Sequence, residues 1–233
     1  MMSNVTFHFF FEKIQTEKDL LYPHNYLRNL ASDYSDADYV IVCDMDFVTN
    51  RNAYALLQSL FATDTRLLNA LDDQTVFVLP AFESSKSATS KDALHVPVAK
   101  SDLVDQVVKR KSAEPFHVHK YAAGHGPTNF TNWFIEDIPL FYYIDYEWGF
   151  EPYVLAKRDG LPKFWTAFRG FGFNKQSWCE EVSRMGYRFA VLRDFFVFHV
   201  GKSSGMVNTP EWVHQEYQRI FRPRLDRVHP KTG

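Results

Sequence analysis

The sequence has few cysteines and no long apolar run. Only Cys43 and Cys179 occur among the 233 residues, so a disulfide framework is excluded and a single bridge is the most that could form. Cys43 lies in an apolar segment, which predicts a buried free thiol instead. No stretch of about 18 apolar residues occurs, so the sequence predicts no transmembrane helix. The formal net charge of −2 gives no electrostatic reason to expect nucleic acid as a partner.

Aromatic side chains are abundant. Phe, Tyr and Trp make up 17% of the residues, and a cleft lined with such rings would suit a sugar, a base or a peptide equally. The length is enough for one large α/β domain or two small ones. Neither an internal repeat nor a linker divides the sequence, which predicts a single domain over residues 1–233.

The chain is organised around an apolar run, 39–43, that ends in two carboxylates, Asp44 and Asp46. Such a run predicts a buried strand of a parallel sheet. Ligands of open α/β sheets bind beyond the carboxyl ends of the strands, where these carboxylates fall. Two hard oxygen ligands there suit Mg²⁺ or Mn²⁺. The alternative is a loop pair that caps the following helix; position favours the metal site slightly.

Apolar periodicity predicts strands and helices in alternation, which is the α/β signature with a mostly parallel sheet. The predicted strands are 4–11, 39–43, 74–80, 142–147, 150–156, 188–192 and 195–199. The predicted helices are 25–32, 51–61, 102–111, 176–185 and 211–221.

Other polar residues are candidates for the chemistry of a site. His199 follows an apolar strand and is a candidate third metal ligand, although a lone histidine there is more often structural. Cations beside glycines could meet phosphates, and carboxylates in an aromatic setting could supply a general base. The cations are Lys175, Lys202 and Arg169, and the carboxylates are Asp145, Glu147 and Glu151.

The run 44–48 also fits the nucleophile motif of haloacid-dehalogenase-type phosphatases, in which Asp44 would take the phosphoryl group. That fold needs a second acidic pair after a later strand. Asp72 and Asp73 precede their strand instead, so this remains a remote alternative.

Seven blocks, in collinear order, resemble glycosyltransferase family 49, the family of the LARGE glucuronyltransferase domain and the β-1,4-glucuronyltransferases. The blocks are 22–29 (YPHNYLRN), 44–47 (DMDF), 78–83 (VLPAFE), 124–130 (GHGPTNF), 150–153 (FEPY), 170–175 (GFGFNK) and 198–199 (FH). Seven ordered blocks are far more specific than a single Asp-x-Asp motif.

The resemblance implies a GT-A-like, nucleotide-sugar-binding α/β fold and an inverting, metal-dependent transferase. The enzyme would move a sugar, glucuronic acid first of all, from a UDP-sugar to a glycan or glycoprotein acceptor, as in matriglycan-type O-mannosyl glycan synthesis in the Golgi lumen. It implies Mn²⁺ or Mg²⁺ on Asp44, Asp46 and His199. The further roles it implies are a base at Glu151, with Asp145 or Glu147 behind it, phosphate contacts from Lys175 and Lys202, and a pocket shaped by His125 and Asn129.

The sequence departs from the family at its front. A βαβ unit needs roughly 30 residues or more, and only one strand and one helix fit before residue 39. We therefore expect the first GT-A strand, which holds much of the nucleotide base, to be missing, together with the family's signal-anchor. Either the sequence is truncated, or recognition of the base is weakened or lost. The alternative function is a catalytically impaired relative that binds a glycan or a partner protein.

Overall fold

The computed structural model describes residues 9–85, 96–200 and 208–230. The strand predicted over 4–11 lies mostly outside this part, and its described end, 9–11, is irregular. Within the described residues, no helix is long and apolar enough to cross a membrane.

The α/β class is confirmed by alternating helices and strands. The strands are β1 (Tyr39–Val42), β2 (Phe47–Thr49), β3 (Thr75–Leu79), β4 (Ala81–Ser84), β5 (Ala113–Pro115), β6 (Phe141–Ile144), β7 (Tyr153–Lys157), β8 (Arg188–Leu192) and β9 (Val197–His199). The α-helices are α1 (His24–Asp33), α2 (Ala53–Thr63), α3 (Thr65–Asp72), α4 (Lys100–Val104), α5 (Phe130–Trp133), α6 (Asn174–Arg184), α7 (Glu211–Glu216) and α8 (Arg222–Val228). Shorter helical segments extend α4 over Asp105–Arg110 and join α7 to α8 over Tyr217–Phe221.

The strands form two sheets. The larger has the order β1-β7-β3-β8-β6, and the smaller has the order β2-β9-β4-β5. The expectation of a mostly parallel sheet is wrong, since only β3 with β8 and β4 with β9 are parallel among the seven strand pairings. An apolar run indicates burial but carries no information about strand direction, and β7 runs antiparallel to both of its neighbours.

The strand before Asp44 is not the central strand of its sheet. β1 pairs only with β7 and is partly exposed along its length, whereas every residue of β3 is buried. The ring of Tyr39 packs 4.9 Å from that of Phe61 on α2, so the apolar residues of β1 cover an edge of the core. A four-residue edge strand and a central strand have the same apolar pattern.

Apolar side chains from both faces of the larger sheet form the core. Leu67 and Leu71 of α3 pack on one face, and Trp178 and Val182 of α6 pack on the other. A third cluster joins the loop before α6 to the C-terminal helices through Phe168, Phe173, Val213, Tyr217, Phe221 and Leu225. The larger sheet is therefore covered on both sides by apolar side chains.

Both cysteines are free, as expected. Burial, with the nearby charge of Asp44, raises the pKa of the half-buried Cys43 thiol to about 11. The thiol stays protonated at neutral pH and adds no charge beside the two carboxylates.

Candidate active site

The two carboxylates lie in the turn that links the two sheets. β1 of the larger sheet ends at Val42, and β2 of the smaller sheet begins at Phe47. The turn between them is short, so Asp44 and Asp46 are fixed at the junction from both sides. Asp46 is also held by its backbone carbonyl, which accepts a 2.7 Å hydrogen bond from the N–H of Val200.

Strand register brings His199 to this turn. β2 and β9 are antiparallel, and His199 lies directly opposite Phe47. The imidazole Nε2 is therefore 3.1 Å from Oδ2 of Asp46. Asp46 has 58% of its side chain exposed while His199 is buried, so the pair opens to solvent on the carboxylate side.

Asp44 faces cations instead. Its Oδ1 accepts a 2.7 Å hydrogen bond from Arg28, and its Oδ2 accepts bonds from Lys175 at 2.7 Å and from the hydroxyl of Tyr153 at 3.0 Å. Burial alone would raise the pKa of Asp44, but these three partners together hold it well below its usual range. With both oxygens bonded, Asp44 is not presented as the free nucleophile that the phosphatase alternative requires.

The predicted triad is thus brought together in part. Asp46 and His199 meet, whereas Asp44 points to Lys175 and Arg28. Within residues 9–85, 96–200 and 208–230, no three His, Cys, Asp or Glu side chains form a ready cluster for a metal ion.

The pair of Asp46 and His199 nevertheless fits a divalent ion. Carboxylates suit Mg²⁺ and Mn²⁺, and an imidazole beside one shifts the preference toward a transition metal, hence Mn²⁺. The Nδ1 atom of His199 is buried and has no hydrogen-bond partner among the described residues, so the ring makes its polar contact through Nε2 alone. A ligand on the exposed side of Asp46 would meet both groups.

The loop before α6 places Lys175. Gly170, Gly172 and Phe173 all have positive φ, which turns the chain sharply into the helix. A Cβ on Gly172 would lie 2.4 Å from Cγ2 of Thr209, so only glycine fits there. Lys175, in the first turn of α6, then crosses the Tyr153 ring at 4.1 Å and reaches Asp44.

Arg28 is positioned by the polar residues of α1. Asn29 exchanges two 2.8 Å hydrogen bonds with the backbone of Phe164, and the buried Asn25 donates to the carbonyl of Trp165. The Oδ1 of Asn25 also accepts from Arg28 at 3.0 Å. These bonds fix α1 on the 164–165 segment and aim the guanidinium at Asp44.

Glu151 lies close enough to Asp44, Lys175 and Arg28 for their charges to affect its pKa. Burial raises its pKa above the ordinary value, while Lys175, Arg28 and the side chain of Gln176 act in the opposite direction. Its own N–H donates to the carbonyl of Gly124 at 2.8 Å, which fixes the backbone. The other two carboxylate candidates, Asp145 and Glu147, are exposed between β6 and β7.

His125 and Asn129 have different surroundings. His125 is buried, its ring 5.4 Å from that of Phe116 and 5.9 Å from that of Tyr153, and burial lowers its pKa to about 3. It therefore forms the neutral wall behind Tyr153. Asn129 is exposed and caps α5 by accepting from the N–H of Asn132, a structural task.

Arg169, another phosphate candidate, contacts other residues than Asp44. Arg169 forms a two-pronged pair with Glu12 and donates to the carbonyl of Leu21, so it ties the N-terminal segment to the loop before α6. Lys202 lies outside the described residues. Among the phosphate candidates in the described ranges, Lys175 is the cation that meets Asp44.

Sequence reasoning missed Arg28 and Tyr153. Both belong to blocks quoted for the family resemblance, 22–29 and 150–153, and that membership was the available signal. An arginine on an amphipathic helix and a tyrosine in an apolar strand otherwise look like ordinary surface and core residues.

Comparison with known proteins agrees with the resemblance. A family model described as "Glycosyl-transferase for dystroglycan" matches residues 2–225. The chain is 28% identical over 199 residues to the glycosyltransferase-like protein gnt14 of Dictyostelium discoideum, which covers 85% of this chain and 30% of that protein. It is 28% identical over 235 residues to the glycosyltransferase-like protein LARGE of Caenorhabditis elegans, with 99% and 35% covered. It is 30% identical over 197 residues to the xylosyl- and glucuronyltransferase LARGE1 of Mus musculus, with 84% and 24% covered.

The matched part of the chain therefore spans 24% to 35% of the length of these relatives. The family model, in contrast, matches nearly all of the sequence. The chain belongs to glycosyltransferase family 49, the glycosyl-transferases for dystroglycan, and its mixed α/β architecture is of the GT-A-like kind that this family implies.

Proposed function

We propose that the protein is a metal-dependent, inverting glycosyltransferase that moves a sugar, glucuronic acid first of all, from a UDP-sugar to a glycan acceptor. The acceptor class is that of O-mannosyl glycans on glycoproteins, with the Golgi lumen as the compartment. Family membership supports sugar transfer, and the names of the LARGE1 relatives, xylosyl- and glucuronyltransferase, support the choice of sugar.

The observation that carries the proposal is the 3.1 Å approach of His199 to Asp46 at the junction of the two sheets. A divalent ion bound there would supply the positive charge that stabilises a departing diphosphate. The exposed side of Asp46 provides the approach, and Asp44 lies two residues away.

Lys175 and Arg28 carry the positive charge of this site in the protein itself. Both lie on Asp44, and their side chains are mostly buried, at 11% and 19% exposure. Cations in such surroundings interact with phosphate oxygens more strongly than exposed ones do, because little water screens them. Lys175, a residue in the first turn of α6, is the first candidate for the diphosphate.

Glu151 is the proposed base. The acceptor hydroxyl oxygen forms its bond to the anomeric carbon as the bond from that carbon to UDP breaks, and the hydroxyl proton passes to the Glu151 carboxylate. Burial raises the pKa of Glu151, which makes the carboxylate a better proton acceptor at neutral pH. The side chain of Gln176 favours the charged form of this carboxylate.

Turnover of UDP-glucuronic acid tests the proposal. We expect Mn²⁺ to stimulate UDP release with methyl β-xyloside as acceptor, and we expect Asp46→Ala to abolish it. Asp137→Ala removes an exposed carboxylate between α5 and β6 and is the matched control. Equal turnover in Asp46→Ala would overturn the metal site. If neither the wild type nor the variants release UDP, and calorimetry detects no binding of UDP, the alternative of a non-catalytic relative is favoured.

A further inference from the structure

Trp148, three residues before the proposed base Glu151, has a half-exposed indole ring. Trp148 lies in the turn between β6 and β7 and is 50% exposed. Its ring centroid lies 5.9 Å from that of Phe173, at an interplanar angle of 29°, and 5.1 Å from that of Tyr217, at 30°. Phe173 and Tyr217 are buried and stack on each other at 4.5 Å. One side of the indole is thus supported by packed rings while half of the residue's surface faces solvent.

The turn that carries Trp148 is held in place. The N–H of Phe150 donates to the carbonyl of Glu147, and Gly149 has φ of +93°. The Tyr121 hydroxyl donates to the carbonyl of Gly149 at 3.0 Å, and a Cβ on Gly149 would lie 2.6 Å from that hydroxyl oxygen. The indole is therefore fixed before any ligand arrives, which lowers the entropy lost on binding.

The same contacts join the ring to the candidate active site. Phe173 precedes Lys175 by two residues, and Glu151 follows Trp148 by three. The side chain of Gln176, which lowers the pKa of the Glu151 carboxyl, donates to the Tyr121 hydroxyl at 2.9 Å. The aromatic platform is defined as Trp148 packed on Phe173 and Tyr217. Its turn is connected to Glu151 through Tyr121 and Gln176.

We propose that the aromatic platform is the acceptor-sugar subsite, where a pyranose ring stacks its C–H face on the indole of Trp148. This inference rests on the proposed function, because the acceptor must bring a hydroxyl to Glu151. A pyranose has one weakly polar C–H face and a rim of hydroxyls. That shape matches a flat, supported indole with hydrogen-bonding groups, those of Glu151 and Gln176, joined to its turn. A uracil ring is the competing occupant and becomes an outcome of the test.

Saturation-transfer NMR with methyl β-xylopyranoside, and separately with methyl β-glucuronide, tests the subsite. We expect saturation to reach the ring C–H protons in the wild type. Trp148→Ala should weaken binding of the pyranoside by about tenfold, as expected for truncating a stacked aromatic anchor. Trp148→Phe should retain most of the signal. Tyr54→Ala removes a 75% exposed ring on α2 and should change nothing.

The outcomes separate this inference from the proposed function. UDP affinity is measured by calorimetry with Mn²⁺ on the same samples, and thermal melting shows that each variant is folded. Displacement of the pyranoside by UDP would assign the ring to the nucleotide base and overturn the subsite. An unchanged or absent pyranoside signal would also overturn it. Pyranoside binding lost in Trp148→Ala, in a protein that does not bind UDP, would sustain the subsite and reject the proposed donor.

Discussion

The imidazole of His199 lies 3.1 Å from the carboxylate of Asp46, although 153 residues separate them in the chain. The antiparallel pairing of β2 with β9 is the cause, because it puts His199 opposite Phe47 and Val200 on the carbonyl of Asp46. The pairing is made of backbone hydrogen bonds. Substituting either side chain should therefore alter the chemistry of the site while leaving the strand pairing in place.

Replacing Lys175 with methionine should weaken UDP binding by about tenfold or more, since a hydrogen bond to a charged group contributes about 1.5–3 kcal/mol. The variant keeps the length of the side chain and loses its charge. Calorimetry with UDP and Mn²⁺ measures the effect. Lys157→Met is the control: it breaks an exposed pair between Lys157 on β7 and Asp72 on α3, and it should bind UDP as the wild type does. Wild-type affinity in Lys175→Met would contradict a phosphate contact.

Glu151→Gln should lower kcat by about 10²–10⁴-fold with little change in UDP affinity, because it removes the proton acceptor and preserves the shape. In the wild type, the rate should fall as pH drops through the pKa of Glu151. Because burial raises the pKa of Glu151, this fall in rate should occur at a pH above the usual glutamate pKa of about 4.3. The fall in rate at low pH should be absent in Glu151→Gln. A loss confined to Glu147→Gln or Asp145→Asn would transfer the role to that carboxylate and reject Glu151.

His125 should make the fold sensitive to acid. Burial lowers its pKa to about 3 in the folded protein, against about 6.5 when unfolded. The unfolded chain therefore binds the proton first. The stability linked to His125 is fully present above about pH 6.5 and is lost as pH falls toward 3, with a slope of at most about 1.4 kcal/mol per pH unit.

Urea unfolding of the wild type and of His125→Phe at several pH values between 6.5 and 4 measures that loss. The phenylalanine ring does not titrate, so the variant should show a shallower decline. The comparison uses the slope, because the substitution also changes the packing against Tyr153. If the free energy of unfolding declines with pH equally steeply in the two proteins, His125 has the same pKa in the folded and the unfolded chain, which contradicts the prediction.

Local patterns predicted α1, α2, β3, α6 and β8 well, because each presents a regular apolar period over several turns or residues. α3 was missed, since its eight residues follow α2 with only Asp64 between them and the two periods merge. Local patterns did not predict the relative direction of the strands in the sheets. Strand direction depends on pairing between distant segments, which no local pattern contains.

The same distinction, between local sequence patterns and contacts of distant segments, applies to the candidate site. Asp44 and Asp46 were found because the motif is local, and His199 was assigned only through the family resemblance. The attachment of Asp44 to Arg28, Lys175 and Tyr153 depends on three segments meeting, so sequence spacing alone gave no sign of it. Likewise, Arg169 looked like a phosphate contact beside a glycine, whereas the fold engages it with Glu12.

Binding of Mn²⁺ measured by electron paramagnetic resonance, with and without UDP, tests the central claim most directly. The wild type should take up one equivalent in the presence of UDP. Asp46→Ala and His199→Ala should each weaken uptake by about tenfold or more, since each removes a proposed direct ligand while the strand pairing persists. Uptake as strong in both variants as in the wild type would contradict a metal site at the junction of the two sheets.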